Sequence, residues 1–211
     1  MEYKTVSLAD QVFERLETDI LAGKYKRGEI ITELRLCTEL EVSRTPIREA
    51  LRRLLQEHLV EETGKGTMVL GITLKDFEDM CAIRLKIEEL AIRGFIDCAN
   101  EDAKKELKEA LEFQEFYLNR SDTDHIKVMD GRFHEIIYRN CGSMILCDTL
   151  LPLHKRVQMF RKMSIDRTGR AEKSVAEHRE IFEAIMNSDK ETASRLMTAH
   201  VANARATIIG K

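Results

Sequence analysis

Apolar residues recur every three or four positions along most of the chain, which is the period of an α-helix with one buried face. Residues 8–22 carry the first such stripe, and the segment 24–28 interrupts it. A second helix is predicted from Thr32 to Leu40, with Thr32 as its cap, and a third helix begins at Ser43. The first third of the chain is therefore predicted to hold three short helices.

The start of the third helix carries two local signals. Ser43 can cap the amide groups of the first turn, and Pro46 lies within that turn, where its missing donor costs little. After this helix the pattern changes, because the sequence LVEETGKGTMVL predicts two short strands around Gly64, Lys65 and Gly66. Three helices followed by a hairpin predict a winged helix-turn-helix domain over residues 1–71.

The pattern is helical again from Thr73 to the end of the chain. Breaks are expected near Asn100, Ser121, Gly142, Gly169 and Ser188-Asp189. They predict six helices in an antiparallel all-helical bundle over residues 72–211. The fold class is therefore mainly α, with a small N-terminal domain and a larger helical one.

The composition limits both the expected location of the protein and the kinds of partner it can bind. The 211 residues include 34 Lys and Arg, 37 Asp and Glu, and a formal net charge of −3, so any surface for nucleic acid must be local. No apolar run reaches the roughly 18 residues of a membrane span, and no signal peptide is evident, which predicts a cytoplasmic protein with no membrane partner. The five cysteines are scattered and form no CxxC pair, so reduced packing thiols are expected.

The third predicted helix has one apolar and one cationic face. Its inward stripe consists of Ile47, Ala50, Leu51 and Leu54. Arg44, Arg48 and Arg52 stand four apart on another face, with Thr45 beside them. The planar fork of arginine can bind guanine edges and clamp phosphates, and the first turns of a recognition helix normally meet the bases. This face is predicted to bind double-stranded DNA.

Each of these predicted DNA contacts has an alternative interpretation in which the residue has no role in binding. The arginines could form an ordinary solvated face that pairs with Glu41, Glu49 or Glu57. At the hairpin tip, Lys65 with Gly66 could contact a phosphate or the minor groove, or could simply belong to a turn. The combination of a capped helix, a preceding helix at turn distance and a following hairpin favours DNA binding.

A second group of polar residues falls on predicted buried faces. Asp130 and His134 are four apart on one helix, so their side chains project from the same face. His178 and His200 lie at equal distances from the turn at Asp189, and such positions are neighbours in an antiparallel helical hairpin. One carboxylate and three imidazoles suit a divalent transition metal such as zinc, nickel or manganese. For each histidine, the alternative is a hydrogen-bonded core residue.

The sequence EVSRTPIREALRRLLQEHLVEETGKGTMV resembles the recognition helix and wing of the GntR family of bacterial regulators. The second helix, ITELRLCTEL, also fits, although Leu34 stands where some members place a DNA-contacting arginine and Arg35 is its neighbour. His58 occupies a position where the family often has glycine. The resemblance implies DNA contacts from Arg35 and from Ser43 onward through the third helix and the wing.

The C-terminal pattern resembles the helical FCD-type effector domain of the FadR-like branch of that family, in the variant with an Asp-His-His-His metal site. The resemblance implies a bundle of six or seven helices, a homodimer, and a small organic acid as effector. Arg84, in CAIRLKIEELA, matches an arginine near the effector cavity of that branch. It would receive a carboxylate, or would form an ion pair with Glu88 one turn later.

These observations together predict a regulator and not an enzyme. Two copies would bind a palindromic operator, repression is the expected direction with activation left open, and a metal-bound acid would change operator affinity. A sensor of the metal itself is the second hypothesis, because three histidines hold transition metals well. A metal-dependent hydrolase is the third, but no independent base or phosphate loop accompanies the site.

Overall fold

The computed structural model describes residues 7–166 and 169–210, except for the side chains of residues 159 and 161–163. The chain divides into two compact units, with the boundary between Thr73 and Leu74. Within the described residues, no helix combines the length and the hydropathy that a membrane crossing requires. All five cysteines are free thiols.

In its described residues, the N-terminal unit contains three helices and a small sheet. Its elements are α1 (Leu8–Leu21), β1 (Ile30–Ile31), α2 (Glu33–Leu40), α3 (Arg44–Gln56), β2 (Val60–Thr63) and β3 (Gly66–Val69). The strands are antiparallel in the order β1-β3-β2. The predicted helices and hairpin are confirmed, whereas β1 was not predicted, because two residues are too few to show an alternating pattern.

Local chemistry explains where the helices begin. Thr32 caps α2 by accepting a hydrogen bond from the backbone N–H of Arg35 at 3.3 Å. The prediction that Ser43 caps α3 is wrong, since its side chain makes no capping hydrogen bond. Ser43 occupies the cap position, but Pro46 stands three residues later and has no N–H to donate. The Ser43 hydroxyl therefore is not engaged in a cap.

The N-terminal core gathers the apolar faces of the three helices and the sheet. Its fully buried side chains include Leu16, Ile31, Leu36, Ile47 and Leu54. Because the burial of such side chains stabilises a domain by about 1.5–3 kcal/mol each, the face of α3 that carries Ile47 and Leu54 is committed to the core. The opposite face of α3 is thereby left to solvent.

Gly66 at the start of β3 is required by the backbone. It has a φ of 132°, and a Cβ atom there would lie 2.9 Å from the carbonyl oxygen of Ile31. We expect Gly66→Ala to lower the free energy of unfolding of the N-terminal unit by about 1–3 kcal/mol, as measured by urea denaturation. Gly64→Ala is the matched control, because a Cβ there meets nothing within 4 Å. Equal stability of the two variants would contradict the expectation.

Within its described residues, the regular secondary structure of the C-terminal unit is entirely helical. The helices are α4 (Leu74–Cys98), α5 (Glu101–Leu118), α6 (Thr123–Arg139), α7 (Met144–Ile165), α8 (Arg170–Met186) and α9 (Lys190–Ile209). Asn100, Asp122 and Asp189 cap α5, α6 and α9 with their side chains, at or next to predicted breaks. The prediction of a mainly α chain with a winged helix-turn-helix and a helical bundle is confirmed.

Tight packing in this unit brings polar side chains inward together with the apolar core. The core includes Phe95, Leu107, Phe133, Ile181 and Met197, all fully buried. α4 packs along α9, α5 along α6, and α8 along α9. Side chains that point inward from α6, α8 and α9 therefore meet in one region of the bundle.

Candidate functional site

The exposed face of α3 carries the cationic residues predicted from the sequence. Arg44, Thr45, Arg48 and Arg52 are all exposed, whereas the apolar stripe of the same helix is buried. Within residues 7–166 and 169–210, no carboxylate pairs with Arg44 or Arg52. The first turns of α3 therefore present positive charge and hydrogen-bond donors to solvent.

Arg48 contacts an acidic side chain from the neighbouring helix. Its Nε donates to Glu33 Oε1 at 2.8 Å and to Oε2 at 2.9 Å. The arginine remains 63% exposed, and pairs of this kind contribute only about 0–1 kcal/mol. The partner differs from Glu41, Glu49 and Glu57, which the sequence offered as alternatives. A stronger anion such as a DNA phosphate can displace Glu33 at small cost.

Arg35 belongs to an ionic network. It donates to Glu29 and to Glu39, each at 2.7 Å, and its guanidinium lies 5.5 Å from the ring centre of Tyr25. The Tyr25 hydroxyl also donates to Glu39, at 2.7 Å. These hydrogen bonds lower the pKa of Glu29 and of Glu39, so both carboxylates stay ionised. Arg35 therefore links α2 to the segment that precedes it, and its side chain remains about half exposed.

The wing places Lys65 at its tip, where the side chain is exposed. Thr63 supports the turn by donating its hydroxyl to the Gly66 carbonyl at 2.7 Å. The Lys65 N–H in turn donates to the Thr63 hydroxyl at 3.3 Å. Backbone geometry explains why a glycine stands at position 66. Lys65 is the residue of this turn whose side chain can reach a binding partner.

Three histidines converge inside the C-terminal unit. His134 from α6, His178 from α8 and His200 from α9 are buried, and one ring nitrogen of each lies within 4.8 Å of the others. The Nε2 atom of His200 is 3.2 Å from that of His134 and 3.3 Å from that of His178. The structure thus brings together the two residues that stand at equal distances from the Asp189 turn.

Asp130 lies beside the three histidines, at a somewhat longer distance. Its Oδ1 is 3.7 Å from His178 Nε2 and accepts a hydrogen bond from the Ser174 hydroxyl at 3.0 Å. The carboxylate is 2% exposed. An ionised carboxylate at that depth is stable only with a cation or several donors around it. Its position therefore fits a fourth ligand or a nearby counter-charge.

The Nδ1 atoms of His178 and His200 are held by hydrogen-bond acceptors. His178 Nδ1 is 2.8 Å from Gln114 Oε1, and the amide of Gln114 is oriented by its own bond to the Met129 carbonyl at 3.2 Å. His200 Nδ1 is 2.7 Å from Glu177 Oε2. Burial alone would raise the pKa of Glu177, but His200 and Arg170 lower it to about 2. With hydrogen on Nδ1, each of these two histidines can present its Nε2 to a metal ion.

His134 is held in a comparable way. The Tyr138 hydroxyl donates to Glu88 Oε1 at 2.8 Å, which leaves its oxygen to accept from His134 Nδ1 at 3.4 Å. Glu88 Oε2 is 3.6 Å from the same nitrogen. Burial would raise the pKa of Glu88, but Arg84, His134 and Tyr138 together hold it below its usual range. The Nε2 atoms of the three histidines therefore lie close together.

This geometry fits a metal ion. In a tetrahedral site with metal–nitrogen bonds of about 2.0–2.1 Å, two bound nitrogens stand about 3.3 Å apart. The measured separations of 3.2 and 3.3 Å match that edge. Metal-binding histidines characteristically donate their other N–H to a carboxylate or carbonyl, as His178 and His200 do here. The donor set is one that zinc, nickel and manganese accept.

A cavity of about 30 Å³ borders the histidine group. Arg84, Asp130 and His200 are among the residues that line it. Arg84 is 5% exposed and donates to Glu88, so the arginine is both an ion-pair partner and a wall of the cavity. The two alternatives that the sequence offered for Arg84 are therefore compatible with one another.

Several residues of this region were missed by the sequence analysis. Gln114, Tyr138 and Glu177 hold the histidines, and His154 from α7 is buried with its ring 5.5 Å from that of His134. Gln114 left a detectable signal, because it continues the buried stripe of Leu107 and Ala110 as a polar residue. Tyr138 stands one turn after His134 on α6, so helical spacing could also have found it. Glu177 and His154 give no such signal, since their roles depend on contacts between helices.

Comparison with known proteins identifies the family. Residues 79–203 match the model described as FCD domain, and residues 8–69 match that of bacterial regulatory proteins, gntR family. A regulator from Bacillus subtilis, the uncharacterized HTH-type transcriptional regulator YdhC, is 32% identical over 90% of this chain and 86% of its own. The HTH-type transcriptional repressor RspR of Escherichia coli is 26% identical over 93% and 87%.

The fold is also found among solved structures. The structure described as E. coli McbR/YncC aligns with a TM-score of 0.81 and 22% identity, over 98% of this chain and 99% of that one. At this identity the likeness shows the fold alone. The curated relatives are transcriptional regulators and not enzymes. The chain therefore belongs to the GntR family of bacterial regulatory proteins and carries an FCD domain at its C-terminal end.

Proposed function

We propose that this regulator binds DNA through residues 1–71 and binds a divalent metal and a small carboxylate through residues 72–211. Two copies would form a homodimer on a palindromic operator in the cytoplasm, and DNA binding would repress transcription. The observation that carries the proposal is the convergence of three buried Nε2 atoms beside a cavity with a buried arginine.

The DNA interface is assigned to the exposed face of α3 with its neighbours. The proposed contacts are Arg35, Ser43, Arg44, Thr45, Arg48, Arg52, Lys65 and Gly66. Arg44 and Arg48 lie in the first turns of α3, which suits base edges, and Arg52 lies further along, which suits a phosphate. Since the Ser43 hydroxyl makes no cap, it can donate to a phosphate. A contact from Arg35 to DNA has to coexist with its hydrogen bonds to Glu29 and Glu39, or displace them.

The metal site is assigned to Asp130, His134, His178 and His200. A bound divalent ion would supply positive charge and open coordination positions for a ligand oxygen. Ser174 holds the Asp130 carboxylate, while Gln114 and Glu177 orient two of the imidazoles. Arg84 would attract the carboxylate of the effector, because it lines the same cavity.

Coupling between the two sites is tested by measuring operator affinity with and without an acid. The protein would be loaded with zinc, and fluorescence anisotropy would follow binding to a duplex that the protein itself selects from a random pool. Saturation with an acid that calorimetry shows to bind should change the affinity by about 5–150-fold. An unchanged affinity at saturation would remove the effector role. A change caused by chelation alone would instead indicate a sensor of the metal.

A further inference from the structure

Two buried polar groups on the wall of the cavity have no hydrogen-bond partner among the described residues. They are the Nε of Arg170 and the hydroxyl of Ser164, and the two residues are 5% and 4% exposed. Both residues line the same cavity as Arg84, Asp130 and His200. An unsatisfied buried donor costs about 1–3 kcal/mol, so two of them in one cavity point to an acceptor that comes from outside the chain.

Arg170 is held rigidly with one donor left over. Its Nη1 and Nη2 donate to the two oxygens of Glu177 at 3.0 and 2.8 Å. Glu177 also accepts from His200 Nδ1 at 2.7 Å. The guanidinium is therefore fixed in place while its Nε–H has no acceptor among the described residues. The same contacts join this wall of the cavity to one of the proposed metal ligands.

The charges around the cavity restrict what can enter it. The charge of Arg84 is balanced by Glu88, and that of Arg170 by Glu177. Asp130 balances one of the two positive charges of a divalent ion. A single positive charge remains, so a monoanion neutralises the site, whereas a dianion would leave a buried negative charge.

We propose that Arg170 and Ser164 form a second recognition point in the effector cavity, which binds an uncharged hydroxyl or keto oxygen of a small monocarboxylate. The inference rests on the proposed function, because the carboxylate itself is assigned to the metal and Arg84. Phe77, Val157 and Phe160 supply the apolar part of the wall. At about 30 Å³ the cavity is small, which argues against large acids.

The test compares three small acids on the zinc-loaded protein by calorimetry, with zinc content measured afterwards. Acetate has the carboxylate alone, glycolate adds one hydroxyl, and malonate adds a second negative charge. We expect glycolate to bind about 3–10-fold more tightly than acetate, since one hydrogen bond is gained, and malonate to bind more weakly than glycolate.

Two variants identify the residues responsible. Ser164→Ala should lower the glycolate-to-acetate affinity ratio at least threefold while leaving acetate binding unchanged. Arg170→Lys should lower the same ratio, because lysine keeps the charge beside Glu177 but lacks the Nε–H. Ser194→Ala is the matched control: its hydroxyl is also buried without a partner among the described residues, and it does not line the cavity. That variant should keep the ratio.

The outcomes separate this inference from the proposed function. If acetate binds and glycolate binds no more tightly, or if Ser164→Ala weakens both acids equally, the second recognition point is wrong and the metal and effector sites stand. If the zinc-loaded protein binds none of the three acids, the effector half of the proposed function fails together with the inference. Malonate that binds more tightly than glycolate would overturn the charge argument.

Discussion

Arg48→Ala is expected to lower operator affinity at least about 30-fold, because each half-site loses a contact of about 1–3 kcal/mol and the dimer has two half-sites. The measurement is fluorescence anisotropy on the selected duplex. Arg48 is exposed, and its only described partner is Glu33, so the substitution should leave the fold and the zinc content unchanged. Operator binding at the original affinity would show that α3 is not the recognition helix.

Glu33→Gln is the companion variant, and its expected effect on operator affinity is opposite to that of Arg48→Ala. It removes a negative charge from the interface and releases Arg48 from its ion pair. Operator affinity should rise about two- to fivefold, since exposed pairs of this kind contribute less than about 1 kcal/mol. The increase should diminish at high salt, because the phosphates repel the carboxylate through a screened interaction. Weaker binding would instead mean that Glu33 positions Arg48 for contact with DNA.

Removal of the metal should destabilise the C-terminal unit. A ligand present at 1,000 times its dissociation constant stabilises the folded state by about 4 kcal/mol, which corresponds to a melting temperature about 8–16 °C higher in a chain of this size. Without an ion, the Nε2 atoms of the three histidines stand close together in a buried site. Calorimetric melting of zinc-loaded and chelator-treated protein measures the difference. Coincident melting curves would contradict a structural contribution of the metal.

A histidine variant tests whether the stabilisation by zinc depends on the cluster of His134, His178 and His200. His178→Ala should lose the bound zinc, and its melting temperature should no longer respond to zinc. His125→Ala is the matched control, because His125 is exposed, stacks on Tyr117 and lies on the same helix as His134 but outside the cluster. That variant should keep one zinc per chain. Full zinc binding by His178→Ala would show that the cluster is not the metal site.

The agreement between sequence and structure is best where signals are local. The helix starts at Asn100 and Asp189 follow from side chains that cap the next turn. The approach of His178 to His200 follows from equal spacing about one turn in an antiparallel hairpin. The cap expected from Ser43 was wrong although its cause is also local: Pro46 removes the N–H that the serine would bind.

Contacts between segments that are distant in the sequence could not be predicted from local signals. The pairing of Arg48 with Glu33 depends on how α2 crosses α3, and the two-residue strand β1 exists only because β3 offers it a partner. The hydrogen-bond acceptors of His178 and His200 likewise come from other helices. Such contacts are specified by packing and not by spacing along one helix, so a single sequence holds no periodic trace of them.

The amino-acid order by itself determined which faces of each helix turn inward, where helices begin and end, and which side chains carry positive charge outward on α3. Periodicity and capping act within one or two turns, so they survive in the linear sequence. The tertiary structure alone decided which side chains from other helices face the Nδ1 atoms of His178 and His200. It also decided that Arg170 and Ser164 share a cavity with His200, because that arrangement arises only when α7, α8 and α9 pack together.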